Sequence, residues 1–203
     1  KHGDVTVDPK NAKAGDTVAL VVSDMTRFWM RQDLVVPHLV DYLVERCGVR
    51  EEDITIVIAN GTHIGGDEQE LRTLVTDAVY DRVKVKNHDC EAKDLVYLGT
   101  TPHGTPVSID RTAAEADLVV CLGAVTHHVM AGFGGGRKSI LPGISGRETI
   151  FHNHAFSLDA AQLRSNPAIG NGVLKGNPLH EDMCEAAGLV KNLFIVNLVM
   201  NAQ

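Results

Sequence analysis

Four short, unbroken apolar runs constrain this chain more than any other feature: Thr17–Val22 (TVALVV), Ile54–Ala59 (ITIVIA), Asp117–Leu122 (DLVVCL) and Leu193–Val199 (LFIVNLV). Runs this short and rich in β-branched residues read as strands covered on both faces, the mark of a parallel sheet. Between the first two, Gln32–Cys47 carries apolar residues at helical spacing, with Pro37 in its first turn and Gly48 as a stop. Helices are also predicted over Asp67–Thr76, Thr112–Ala116, Glu148–Phe156 and His180–Ala187, and shorter strands at Val83–Asn87 and Leu95–Leu98 around a polar turn. Strands alternating with helices imply an α/β fold, a Rossmann-like three-layer domain with a mainly parallel sheet. No repeat or low-complexity tract divides the 203 residues, and 1–203 reads as one domain.

Composition narrows the function classes. The chain is 44% hydrophobic and 22% charged, which is ordinary for a globular protein. A net charge of −7 gives no general pull toward nucleic acid or anionic lipid, so any bound anion needs a local site. No apolar run approaches the ~20 residues that span a bilayer, and no signal peptide is visible from Lys1. Cys47, Cys90, Cys121 and Cys184 are scattered without a CxxC pair. They read as small buried hydrophobes, in keeping with a reducing cytoplasm.

Polar constellations follow three of the apolar runs. In open parallel sheets ligands bind beyond the carboxyl ends of the strands, so these loops are expected to converge on one edge. The first reads Ser23-Asp24-Met25-Thr26-Arg27; an Arg beside Asp and Thr suits capture of a carboxylate or phosphate, or else forms a helix cap with a surface Arg. The second, Asn60-Gly61-Thr62-His63, has a glycine for a tight turn and a histidine aimed at the same edge. The third runs from His127-His128 through Gly132, Gly134, Gly135 and Gly136 to Arg137-Lys138, and on to His152 and His154. Its glycines leave backbone N–H groups free to wrap an anionic or planar ligand. A desolvated amine at Lys138 is a candidate nucleophile.

Two rival chemistries meet this third loop. Gly132–Ser139 is one residue from the phosphate loop GxxxxGK[ST], with Arg137 where the second glycine belongs. Four residues from His127 to Met130 separate it from the preceding apolar run and its turn, and no downstream strand ends in a magnesium-holding aspartate. A zinc site from His127, His128, His152 and His154 lacks the HExxH spacing that would supply a base.

The stretch from His128 to His154 fits the pattern HxxAGFxGGRKSxLPGIxxxxTIxxNH and resembles the nickel-pincer lactate racemase family. The first two loops are similar to that family's SDxTRP and A(T/N)G(x)H motifs, in order. The resemblance covers the chain from about Thr17 onward. It implies nickel held by a pyridinium-3,5-bisthiocarboxylic acid mononucleotide, tethered covalently to Lys138, with His154 completing the metal's coordination. Asp24, Met25, Thr26 and Arg27 would contact this cofactor, and Arg27 also the substrate carboxylate. His63 and His128 would be paired acid/base residues in racemising or epimerising a 2-hydroxy acid. In that chemistry the Cα hydrogen leaves as hydride while a histidine takes the hydroxyl proton, and a second histidine serves the opposite face. Enzymes of cofactor synthesis would be partners.

Departures from the family are Phe28 and Trp29 after Thr26-Arg27, Thr62-His63-Ile64-Gly65 in the second loop, and an extra His152. Family members run to about twice this length, so 1–203 is expected to be the amino-terminal cofactor-bearing part, lacking a substrate-covering domain and inactive alone. An inert nickel- or cofactor-binding module and a paralog with other 2-hydroxyacid chemistry are the alternatives.

Overall fold

The computed structural model describes residues 12–200; the reading at Lys1 lies outside them. The first strand, β1 (Val18–Ser23), is followed by tight 3-10 turns at Met25–Met30 and Gln32–Leu34, helix α1 (Val36–Asp41), and one wider turn over Tyr42–Arg46. Next come β2 (Ile54–Ala59), α2 (Glu68–Val75), α3 (Asp77–Tyr80) and β3 (Lys84–Asn87). A hairpin follows, β4 (Val96–Thr100) and β5 (Pro106–Ile109), then α4 (Arg111–Glu115) and β6 (Leu118–Ala124). Two-residue strands β7 (His127–His128) and β8 (Gly132–Phe133) precede a wide turn at Ser139–Gly143 and α5 (Arg147–Ala155). A second short pair, β9 (Leu158–Asp159) and β10 (Arg164–Ser165), leads to α6 (Pro178–Gly188) and β11 (Leu193–Leu198).

The main sheet has five strands in the order β11-β6-β1-β2-β3, and every pairing in it is parallel. Alternate residues of each strand serve opposite faces. Val18, Leu20 and Val22 of β1 pack with Ile54, Ile56 and Ile58 toward α1, α2 and α3. Ala19, Val21 and Val57 pack on the other face with Ile109, Ile140, Ile150 and Met183, under α4, α5 and α6. Both faces are therefore covered, which is why the strands are apolar without interruption. The layers are helix, sheet, helix, as expected for a Rossmann-like domain. Among the described residues no helix is long and apolar enough to cross a membrane.

Three expectations are corrected. Gln32–Cys47 is not one helix: it changes from 3-10 to α to a wide turn, with Pro37 in the first turn of α1. Val83–Asn87 and Leu95–Leu98 are strands, but the polar segment between them is not a hairpin turn: β3 joins the main sheet beside β2 while β4 pairs antiparallel with β5. The strand Pro106–Ile109 carries too few apolar residues to stand out before its partner is known. Cys90 and Cys121 are buried as expected, but Cys47 is half-buried and Cys184 is exposed.

Asp110 ties the hairpin to the sheet. It accepts from the Thr112 backbone at the start of α4 (2.9 Å), pairs with Lys86 of β3 (2.9 Å) and faces buried His88 at 3.4 Å. Burial pushes its carboxyl up, but the bonds from His88 and Lys86 outweigh that and hold it at about 2, below its ordinary 3.8. A carboxyl depressed on folding adds stability above its unfolded pKa and loses it as pH falls through the folded value. Asp110→Asn is thus expected to cost about 2 kcal/mol at pH 7, with the gap to the parent chain closing between pH 4 and 2. Urea denaturation at both pH values tests this, and a gap independent of pH would count against it.

Candidate active site

In chain order the sheet reads third, second, first, fourth, fifth strand, so its order reverses between β1 and β6. Connections leaving neighbouring strands in opposite directions open a crevice at such a switch point. A cleft of about 330 Å³ lies there, lined by Asp24 and Arg27 after β1, His63 after β2, and His128 and Lys138 after β6, with His154 of α5. The three loops converge on one site.

The loop after β1 is turned out of the sheet by Gln32. Its fully buried amide accepts from the Ser23 N–H (3.0 Å) and donates to the Ser23 carbonyl (2.7 Å), standing in for a strand partner. Asp24 is thereby held, 8% exposed, at the cleft floor. Thr26 Oγ1 donates to Asp24 Oδ1 (2.6 Å), and Arg27 Nη1 donates to Thr26 Oγ1 (2.8 Å). Thr26 therefore links Asp24 to Arg27 without lining the cleft. Met25 does not line it either; it packs against the apolar core.

After β2, Gly61 adopts φ +56° and donates its N–H to the Gly143 carbonyl (2.8 Å), docking this loop on the turn that follows Lys138. The next residues present His63, whose Nδ1 lies 2.5 Å from Asp24 Oδ2. A carboxylate can only accept, so Nδ1 carries a proton, and in the neutral ring Nε2 holds the lone pair.

After β6 the chain folds into the β7–β8 hairpin before reaching Lys138, which separates it from a phosphate loop. Arg137, in the place of that motif's second glycine, buries its guanidinium on the carbonyls of Ala131, Phe133 and Gly134 at 2.8–2.9 Å. Glycine is required along this loop. Gly132 has φ +73°, and a Cβ on Gly136 would overlap the Ile195 side chain. The loop thus lies flat over the ends of β6 and β11, delivering Lys138 into the cleft.

His128 and Lys138 face each other, Nε2 to Nζ, at 3.2 Å. His128 Nδ1 accepts from the backbone N–H groups of Met130 (3.2 Å) and Ala131 (3.1 Å). Burial first, then the neighbouring charges of Lys138, Arg27, His154 and Arg137, bring His128 down to about 4. Burial, then Arg137 and Arg27, bring Lys138 down to about 8. His154 donates from Nδ1 to the Ile150 carbonyl one turn back (2.9 Å), leaving Nε2 unprotonated, and burial lowers its pKa. His152, two residues earlier on α5, is exposed and does not line the cleft.

The zinc reading is not supported by this arrangement. His127 stacks near Phe133 (ring centroids 5.0 Å) outside the cleft. Among the described residues the three-residue group within reach of one ion is His103, Asp182 and Glu185. There the Asp182 oxygens already accept from Thr101, Thr105 and Asn153. Sequence reasoning missed the bond between Asp24 and His63, because the two are 39 residues apart. It also missed Phe151, which with Trp29 forms an aromatic part of the lining. Trp29 was visible only as a departure after Arg27, and Phe151 carried no signal beyond its place on α5.

Comparison with known proteins gives the chain a family and a fold. The lactate racemase N-terminal domain matches residues 8–165. The chain is 33% identical over 192 residues to a lactate racemase of Thermoanaerobacterium thermosaccharolyticum and 31% identical over 191 residues to that of Lactiplantibacillus plantarum. In each case 94% of this chain is covered and 43% of the relative, so the chain spans less than half the length of these proteins. The solved lactate racemase apoprotein from T. thermosaccharolyticum superposes with a TM-score of 0.83 at 32% identity, over 95% of this chain and 44% of that one. A crystal structure of a Thermotoga maritima protein shares the fold, with a TM-score of 0.71 at 22% identity, over 95% of this chain and 48% of that one. The chain belongs to the lactate racemase N-terminal domain family.

Proposed function

We propose that residues 1–203 are the cofactor-bearing part of a 2-hydroxyacid racemase or epimerase that uses a nickel-pincer nucleotide attached to Lys138. The observation that carries this reading is the set of hydrogen bonds fixing three histidines in the cleft that Lys138 also lines. The donors fit the cofactor. His154 offers an unprotonated Nε2 with its other nitrogen tied to a backbone carbonyl, the usual preparation of an imidazole ligand, and imidazole suits nickel. Lys138 offers a desolvated amine for the tether.

When bound, the cofactor supplies a hydride acceptor for the substrate's Cα hydrogen. The protein's own residues do the rest. Arg27, with one nitrogen held by Thr26, keeps further N–H groups for the substrate carboxylate. His63 takes the hydroxyl proton at Nε2, its ring oriented by Asp24. His128 serves the opposite face through Nε2. Trp29 and Phe151 give the lining an apolar, aromatic part beside the reacting groups. The substrate side chain is read by a covering part in the rest of the parent protein. We place that parent in the cytoplasm, where thiols such as buried Cys121 and exposed Cys184 stay reduced.

The test is co-expression with enzymes of cofactor synthesis, followed by intact mass, peptide mapping and nickel analysis. An adduct on Lys138, lost in Lys138→Ala with the circular dichroism spectrum unchanged, is expected. An adduct on another lysine would overturn the assignment.

A further inference from the structure

Two backbone N–H groups, of Met130 and Ala131, point at His128 Nδ1, so that atom holds a lone pair. The single proton of the neutral ring then sits on Nε2, which faces Lys138 Nζ at 3.2 Å. An ammonium group there would set N–H against N–H, whereas an uncharged amine accepts the bond. We propose that His128 stores Lys138 as the free amine, the nucleophile for cofactor attachment, and so acts as a positioning residue for that step as well as in turnover. This rests on the reading that Lys138 is the attachment point.

The surroundings act in the same sense. Arg137 beside Lys138, Arg27 from the loop after β1, and His154 from α5 are the charged or titratable groups whose influence reaches the His128–Lys138 pair. Among the described residues none of the carboxylates forms an ion pair with Lys138. With Lys138 at about 8, roughly one amine in ten is uncharged at pH 7, against roughly four in ten thousand for an ordinary lysine near 10.4.

The step balances simply. The Nζ lone pair attacks the carbonyl-type carbon of an acyl donor and a C–N bond forms. The bond to the donor's leaving group breaks, the leaving group departs with that electron pair, and the surplus N–H proton passes to solvent. Acylated nitrogen delocalises its lone pair and no longer accepts. His128 Nε2 is then released toward the cleft, so attachment frees the same atom that turnover uses.

The experiment uses the cofactor-free 203-residue chain and N-hydroxysuccinimidyl acetate as the acyl donor. Peptide mass spectrometry follows acetylation of Lys138 between pH 6 and 10, with exposed Lys93 as internal reference. The Lys138 profile is expected to level off about two pH units below that of an ordinary lysine. His128→Phe keeps the bulk but removes the N–H. It should shift the Lys138 profile upward, about tenfold slower at pH 7 but equal at pH 10, since access is unchanged. His128→Gln, which restores a donor, should return the profile toward the parent's. Nitrogen-15 NMR of the unsubstituted chain should show His128 protonated on Nε2. Superimposable parent and His128→Phe profiles, or a proton on Nδ1, would overturn the proposal. A co-expression adduct on Lys138 together with superimposable profiles removes this inference alone, whereas an adduct on another lysine removes the underlying reading too.

Discussion

His63→Ala in the full-length parent is expected to slow racemisation about 10²–10⁴-fold, the range for losing one positioned acid or base. The reason is geometric. His63 is the cleft histidine whose Nε2 lone pair is held in place by a carboxylate, Asp24, at its other nitrogen. No other described residue contacts that carboxylate oxygen in the same way, so no neighbour can substitute. Both directions of net conversion must fall together, because a racemase does not alter its equilibrium. The two faces separate in partial reactions. With His63 gone, one enantiomer should still be oxidised to the bound keto acid in a single turnover, read by absorbance, and the other should give no change. His128→Ala should exchange which enantiomer responds. Asp24→Asn should impair the His63-dependent half-reaction alone, since it leaves His63 present without its fixed tautomer. Unchanged half-reactions in His63→Ala would make this histidine a solvated loop residue and end the two-base reading.

The second large effect concerns the metal. His154→Ala is expected to lower retained nickel more than a hundredfold relative to the parent after dialysis, while His152→Ala leaves it near the parent level. Loss of a partner that merely orients a ligand costs 10–100-fold, and loss of the ligand itself should exceed that. Two residues apart on a helix, the side chains diverge by ~200°; accordingly His154 lines the cleft and His152 is exposed. The Ile150 carbonyl adds a second reason, since it leaves only Nε2 of His154 available to a metal. Elemental analysis of nickel per chain measures this. Equal losses from the two substitutions would mean that neither is the ligand in the sense proposed.

Much of the architecture was legible in the sequence because burial on both faces leaves a simple trace. ITIVIA is short, apolar and rich in β-branched residues, and its bounds Ile54–Ala59 are the observed ones. Elements defined by a partner left a weaker trace. Pro106–Ile109 becomes a strand by pairing with β4, and half of its residues are only partly buried, so no apolar run marks it. The segment Gln32–Cys47 has helical periodicity, but Gln32 is drawn into the core to satisfy Ser23, and that bond sets a 3-10 turn where a helix was expected.

The site divides along the same line. Motif order alone places Asp24, Arg27, His63, His128, Lys138 and His154 just beyond strand ends or on the helix that follows, because a parallel sheet puts those ends on one edge. What each histidine can do was decided only by tertiary structure. Protonation is set by the atom opposite Nδ1: a carboxylate 39 residues away for His63, local backbone N–H groups for His128, and a backbone carbonyl for His154. In the cofactor-free chain three identical side chains thus present an acceptor at His63, a donor at His128 and a free lone pair at His154. A linear sequence carries no record of that choice, since it lies in the direction of hydrogen bonds that exist only once the loops have met.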